Sequence, residues 1–153
     1  MRVLIIEDDK NKLNQVTSFL KEIHTHLEVV EKYSYNSGLK EVLMQGEFDL
    51  LLLDMSMPTF DITSTESGGR PKPFAGKEIL RKLKKKRLQI PTIVITQFER
   101  FGDAENMISL KELEQELVEN YSESYIATVY YNSSEDKWKN ELKKIMSEEH
   151  LIE

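Results

Sequence analysis

Short apolar runs alternate along the chain with longer amphipathic stretches. Five runs have the length and composition of buried strands: Val3–Ile6, Leu27–Val30, Phe48–Leu53, Ile90–Thr96 and Tyr125–Tyr131. After each run, apolar residues recur every three or four positions, as they do on one face of a helix. The helical faces carry Leu13/Val16/Leu20/Ile23, Leu39/Val42/Leu43, Ile79/Leu80/Leu83, Leu110/Leu113/Leu117 and Trp138/Leu142/Ile145. Five strand–helix units predict an α/β fold, with a mostly parallel, doubly wound sheet covered by helices on both faces.

One segment departs from this alternation. Between Pro58 and Phe74 the chain is rich in Gly, Pro, Ser and Thr and shows no hydrophobic period. It is long for a strand-to-helix connection, which typically has about 2–6 residues. The chain has no internal repeat and no separating linker. We therefore expect residues 1–153 to form a single domain, with a loop insertion at about 58–75 between the third strand and the third helix.

Polar residues follow three of the predicted strands: Glu7 and Asp8 the first, Asp54 the third, and Thr96 the fourth. In open parallel sheets, ligands bind where the carboxyl ends of the strands meet. Two carboxylates about 4 Å apart repel each other by roughly 4 kcal/mol at an effective dielectric of 20. A cluster of three acids therefore either has raised pKa values or holds a divalent cation, and oxygen-only ligation favours Mg²⁺. The alternative is solvated acids near helix N-termini.

Composition narrows the class of protein. The 153 residues include 21 basic and 27 acidic side chains, and the net charge of −6 argues against nucleic-acid binding. The absence of cysteine excludes disulfides and thiolate chemistry and is compatible with a reducing compartment. The longest apolar run is too short to cross a bilayer, and no signal-peptide pattern follows Met1. We expect a cytoplasmic domain that binds neither nucleic acid nor membrane.

Three segments together resemble the receiver domain of two-component response regulators: VLIIEDD at 3–9, LLLDMSMP at 51–58 and IVIT at 93–96. The resemblance extends from Arg2 to about Met146. It implies a flavodoxin-like (βα)₅ sheet of strand order 2-1-3-4-5. It also implies a phosphorylation switch rather than an enzyme, whose only chemistry would be Mg²⁺-dependent self-phosphorylation and dephosphorylation.

The resemblance also implies a role for each strand-end residue. Asp54 would be the phosphoacceptor, and Asp8, assisted by Glu7, would bind Mg²⁺ together with Asp54 and the backbone carbonyl of Ser56. Thr96 would be the hydroxyl that hydrogen-bonds the phosphoryl group and moves when it arrives. The implied partners are a histidine kinase or phosphotransfer protein and an output protein on a separate chain, because few residues follow the last helix.

The sequence departs from the receiver pattern at the end of the fifth strand. Receivers have a lysine there, but residues 128–132 read TVYYN and contain no basic side chain. We hypothesise that Arg70 or Lys72, in the insertion, supplies the missing positive charge. The alternative is a pseudo-receiver, an interaction module that works without phosphorylation.

Two other classes of protein fit less well. A flavin carrier would need a phosphate loop where the acidic Glu7-Asp8-Asp9 stands. An aspartate-nucleophile phosphatase would need a second acid two residues beyond Asp54, at the position of Ser56.

Overall fold

The computed structural model describes residues 1–45 and 47–152, so Gly46 and Glu153 of the predicted 1–153 domain lie outside the described residues. Five strands form the main sheet: β1 (Arg2–Ile6), β2 (Glu28–Lys32), β3 (Leu50–Leu53), β4 (Thr92–Thr96) and β5 (Tyr125–Tyr130). Five helices alternate with them: α1 (Lys10–Ile23), α2 (Tyr35–Gln45), α3 (Ala75–Lys85), α4 (Leu110–Tyr121) and α5 (Lys137–Glu148). None of the helices in the described ranges is long and apolar enough to cross a membrane.

The sheet is parallel throughout, with the strand order β2-β1-β3-β4-β5. This order and the doubly wound architecture confirm the predicted flavodoxin-like fold. The central strands β1, β3 and β4 are almost entirely buried, as their uninterrupted apolar sequences require. The edge strand β2 reads EVVEK and is only half-buried, which explains why its predicted boundary, Leu27–Val30, falls short of Lys32.

Alternation along the strands sends side chains to two separate cores. On one face, Val3 and Ile5 of β1 pack with residues of α1 and α5, such as Leu13 and Trp138. On the other face, Leu4 and Ile6 pack with residues of α2, α3 and α4. Each helix stripe predicted from the sequence contributes to one of these two cores. The sheet is therefore rigidly held between two helix layers, and its carboxyl edge is left free for polar groups.

The insertion is more ordered than the unpatterned loop that the sequence predicts. Its two ends, Met57–Pro58 and Pro71–Lys72, pair as a short antiparallel ladder. A second small ladder, Arg100–Phe101 with Ile108–Ser109, lies between β4 and α4. Both ladders have only two residue pairs, too few for the hydrophobic period to reveal them in the sequence.

Candidate functional site

The site lies at the carboxyl edge of the sheet, where β1 and β3 run side by side. Ile6 is paired with Leu53, and the backbone N–H of Asp54 donates to the carbonyl of Ile6 over 3.1 Å. This register places the residues that follow the two strands next to each other. Carboxylate oxygens of Glu7, Asp8 and Asp54 lie within 4.8 Å of one another. The predicted acidic cluster therefore exists as a single group of side chains.

The three acids differ in their exposure. Glu7 and Asp54 are buried, each only 4 % exposed, whereas Asp8 is exposed to solvent. Burial, and then repulsion by Asp54, raise the pKa of Glu7 to about 8. The same two causes, in the same order, raise the pKa of Asp8 above its ordinary value. Negative charge at this edge is thus unfavourable unless a cation compensates it.

The backbone on both sides of Asp54 is held closely. Its Oδ1 accepts a 2.7 Å hydrogen bond from the N–H of Met55, which orients the carboxylate. The N–H of Gly76, at the start of α3, donates to the carbonyl of Met55 over 3.0 Å. A Cβ on Gly76 would lie only 2.6 Å from the carbonyl oxygen of Asp54. The absence of a side chain at residue 76 thus allows α3 to begin directly against the end of β3.

An open cavity of about 310 Å³ covers the three acids. Ser56 lines it, so the predicted ligand residue stands beside the cluster, and the role of its carbonyl stays a prediction. Gln97 and Phe98 line the side next to β4. The insertion supplies much of the remaining wall.

The insertion is anchored to the segment that precedes and starts α2. Asp61 Oδ1 accepts hydrogen bonds from the hydroxyls of Ser34, over 2.6 Å, and Ser37, over 2.9 Å. The N–H of Asn36 also donates to the carbonyl of Thr59 over 2.9 Å. These contacts hold the segment that contains Ile62, Ser67, Gly69 and Pro71, which line the cavity. The insertion therefore forms one wall of the acidic site.

Thr96 is fully buried at the end of β4. Its Oγ1 accepts a hydrogen bond from the N–H of Phe98 over 3.2 Å. Within the described part of the chain, no hydrogen bond joins Thr96 to Asp54. The structure thus places the predicted switch hydroxyl at the correct edge of the sheet but turned to its own loop.

A lysine that the sequence analysis did not single out reaches this site from α1. The side chain of Lys12 is only 1 % exposed, and its Nζ lies 2.5 Å from Glu7 Oε1 and 3.3 Å from Asp54 Oδ2. Nζ also donates to the carbonyl of Ile95 over 2.6 Å. Burial lowers the pKa of Lys12, but the carboxylates of Asp54 and Glu7 outweigh it and leave that pKa above its usual value.

A signal for this lysine is present in the sequence. Lys12 precedes Val16 by four positions and so lies on the apolar face of α1, where a charged residue is unusual unless it is paired. It also stands three residues after Asp9, the last acid of the Glu7-Asp8-Asp9 segment. A lysine on an apolar stripe beside a strand-end acidic cluster is therefore the pattern that could have identified it.

The cations proposed from the sequence lie elsewhere. The ammonium of Lys72 pairs with Glu78 over 3.1 Å and lies over the ring of Tyr35. Arg70 is exposed and forms no ion pair with any described residue. The structure thus supports neither Arg70 nor Lys72 as the source of the missing charge.

The donor set suits a hard divalent cation. Glu7, Asp8 and Asp54 offer only oxygen atoms, and the exposed Asp8 and the open cavity leave room for water and for a further oxygen ligand. This is the coordination that Mg²⁺ prefers. Burial and repulsion by Asp54 raise the pKa values of Glu7 and Asp8 although Lys12 is close by, and a divalent cation would add further positive charge to the cluster.

Comparison with known proteins identifies the family. The family model of the response regulator receiver domain matches residues 3–114. The Detocs response regulatory protein DtcB of Enterobacter cloacae is 28% identical over 149 residues, which cover 97% of this chain and 99% of that protein. The chain belongs to the response regulator receiver domain family and is therefore a two-component signalling domain.

Two solved structures illustrate the shared fold. The phosphorylated cyanobacterial phytochrome response regulator RcpA superposes with a TM-score of 0.64 at 19% identity, over 95% of this chain and 91% of that one. The Mn²⁺-bound form of response regulator Rcp1 gives a TM-score of 0.61 at 20% identity, over 95% and 91% of the two chains. At this level of identity the likeness establishes the fold, and the residue roles must come from the site itself.

Proposed function

We propose that this protein is a stand-alone phosphorylation switch that accepts a phosphoryl group on Asp54 with the help of Mg²⁺. The observation that carries the proposal is the position of Asp54: its carboxylate follows β3, adjoins the cavity and lies within 4.8 Å of the Glu7 and Asp8 carboxylates. The match to DtcB, named a response regulatory protein, over 99% of that protein supports a role in the same kind of signalling. The partners would be a histidine kinase or phosphotransfer protein and a separate output protein, in the cytoplasm.

The chemistry begins with nucleophilic attack by a carboxylate oxygen of Asp54 on the phosphorus of the donor. A bond from this oxygen to phosphorus forms as the bond to the donor's leaving group breaks, and the leaving group takes the electron pair. The product is an acyl phosphate. Bound Mg²⁺ would screen the repulsion between the phosphoryl oxygens and the acids. Glu7 and Asp8, together with the Ser56 carbonyl, would hold the ion beside Asp54.

Thr96 would transmit the modification. Its hydroxyl would turn to a phosphoryl oxygen, and the hydrogen bond that it now accepts from the N–H of Phe98 would be lost. Because Phe98 is 43 % exposed, this change would reach the surface that a partner contacts. The charge of the phosphoryl group on Asp54 would thus shift the surface around Phe98 between two conformations that a partner can distinguish.

One observation favours a second candidate function. Lys12 already pairs with Asp54 and Glu7, so the acidic cluster is partly neutralised without phosphate or metal. A pseudo-receiver, which binds partners in one fixed state, would have such an arrangement. The two candidates differ in whether Asp54 can be modified.

Intact-protein mass spectrometry tests the proposal. The protein is incubated with Mg²⁺ and a small phosphodonor such as acetyl phosphate, and we expect the mass of one phosphoryl group to be added. The addition should vanish in Asp54→Asn and persist in Asp136→Asn, a control at an aspartate whose side chain is 82% exposed. A parent protein that gains no mass with any donor and binds no Mg²⁺ would refute the proposal and favour the pseudo-receiver.

A further inference from the structure

Lys12 is the most unusual charged side chain of the site. Its ammonium contacts an oxygen from the end of each of three neighbouring strands: Glu7 after β1, Asp54 after β3 and the Ile95 carbonyl of β4. An ammonium has three N–H donors, so these three oxygens use its full donor capacity. Lys12 is therefore held in one position by the sheet edge, although it belongs to a helix.

This position is unfavourable for a lysine by itself. Lys12 is in the first turn of α1, where the helix dipole disfavours positive charge, and its side chain is almost completely buried. Its own backbone N–H is capped by Asp9 over 3.2 Å. The carboxylates of Glu7 and Asp54, together with the Ile95 carbonyl, compensate these costs, so the position of Lys12 is coupled to the charge around Asp54.

The end of β5 carries a tyrosine beside Lys12. Tyr131 follows β5 there, and its ring packs on Trp138 at a centroid distance of 5.2 Å. Its hydroxyl donates to Gln15 of α1 over 2.7 Å. The Nζ of Lys12 lies 5.7 Å from the centre of the Tyr131 ring. An aromatic side chain thus fills the end of β5, and a lysine from α1 reaches the site beside it.

We propose that Lys12 is the residue that pairs with the phosphoryl group on Asp54, taking from helix α1 the role that other receivers give to a lysine at the end of the fifth strand. This inference rests on the proposed function, because it requires Asp54 to be phosphorylated. When the acyl phosphate forms, the Asp54 carboxylate loses its charge and the phosphoryl oxygens become the strongest acceptors nearby. Lys12 exchanges its 3.3 Å contact with Asp54 for one of them and keeps its bond to Ile95.

The bond to Ile95 gives this exchange a route to the switch residue. Ile95 precedes Thr96 in β4, so a shift of the Lys12 ammonium acts on the backbone directly before the switch hydroxyl. A lysine in this position therefore does more than neutralise charge. It joins the phosphorylation site to the end of β4.

The test compares Lys12→Met with the parent protein and with the control Lys72→Met, whose ammonium pairs with Glu78 away from the site. Acetyl phosphate and Mg²⁺ are the reagents, mass spectrometry follows the phosphorylation of Asp54, and NMR follows the amide of Thr96. In Lys12→Met we expect phosphorylation to slow by about tenfold or more, as loss of a charged hydrogen bond implies. The Thr96 amide should no longer shift on phosphorylation, whereas Lys72→Met should match the parent.

A second pair of variants covers the case in which Lys12→Met does not fold. Lys12→Met combined with Glu7→Gln removes a buried charge together with its partner, and Glu7→Gln alone is its reference. Compared with Glu7→Gln, we expect the double variant to be phosphorylated more slowly and to show no shift of the Thr96 amide on phosphorylation. Equal or faster phosphorylation without Lys12, with a normal Thr96 response, would overturn the inference. Failure of the parent to be phosphorylated would instead overturn the proposed function.

Discussion

Glu7 makes the stability of the metal-free protein dependent on pH. Its pKa is 4.5 in an ordinary environment and about 8 in the folded protein, mainly because the side chain is buried. Between pH 4.5 and about 8, the folded state therefore keeps a proton on Glu7 that the unfolded state has lost. The contribution of Glu7 to the free energy of unfolding should be largest below pH 4.5. It should fall as the pH rises to about 8 and should then level off. Each pKa unit corresponds to about 1.4 kcal/mol, so the total loss from Glu7 is roughly 5 kcal/mol.

Urea denaturation in EDTA at a series of pH values from 5 to 9 measures this loss, with Glu7→Gln as the control. Glutamine is uncharged at every pH, so the variant should lack the Glu7 contribution to the pH dependence. A divalent cation should raise the free energy of unfolding at high pH, because it compensates the charge of the ionised carboxylate. Adding Mg²⁺ should thus flatten the pH dependence of the parent. Parallel pH profiles of parent and Glu7→Gln in EDTA would refute the reasoning.

Two further predictions concern the backbone around the site. Gly76→Ala places a Cβ 2.6 Å from the Asp54 carbonyl oxygen, so it should lower the free energy of unfolding by about 1–3 kcal/mol. Urea denaturation measures this change. A stability equal to that of the parent would contradict the close packing of α3 on β3. Asp61→Ala removes the acceptor of the Ser34 and Ser37 hydroxyls, so limited proteolysis should cut within 58–74 faster than in the parent. An unchanged cleavage rate would show that these bonds do not anchor the insertion.

The strand–helix alternation could be predicted because it follows from local patterns, whereas the strand order came from the resemblance to receivers. The buried strands β1, β3 and β4 consist of consecutive apolar residues, and each helix has one apolar stripe, so the chain allows only a sheet covered on both faces. The edge strand β2 was predicted less accurately, since half-buried residues do not show the same contrast. The two-residue ladder of the insertion has no period at all, and only the pairing of Met57 with Lys72 reveals it.

The acids of the site could be predicted because of where they stand in the sequence. Glu7, Asp8 and Asp54 follow strands, and parallel strands of one sheet end at the same edge, so their meeting requires only the correct strand order. Their protonation could not be predicted in the same way. The pKa of Glu7 depends on how completely neighbouring side chains bury it, which no local pattern records.

The sequence by itself determined the strand–helix alternation and the strand-end positions of the acids, because these depend on residue type and on position along the chain. Its resemblance to receivers gave the family and implied the strand order. The tertiary structure alone decided which basic side chain contacts the acidic cluster. Lys12 and Ile95 are 83 residues apart, and their contact depends on how α1 packs against the sheet, which no local pattern in the sequence specifies. Arg70 is exposed and Lys72 pairs with Glu78, and the positive charge beside Asp54 comes instead from the helix that follows β1.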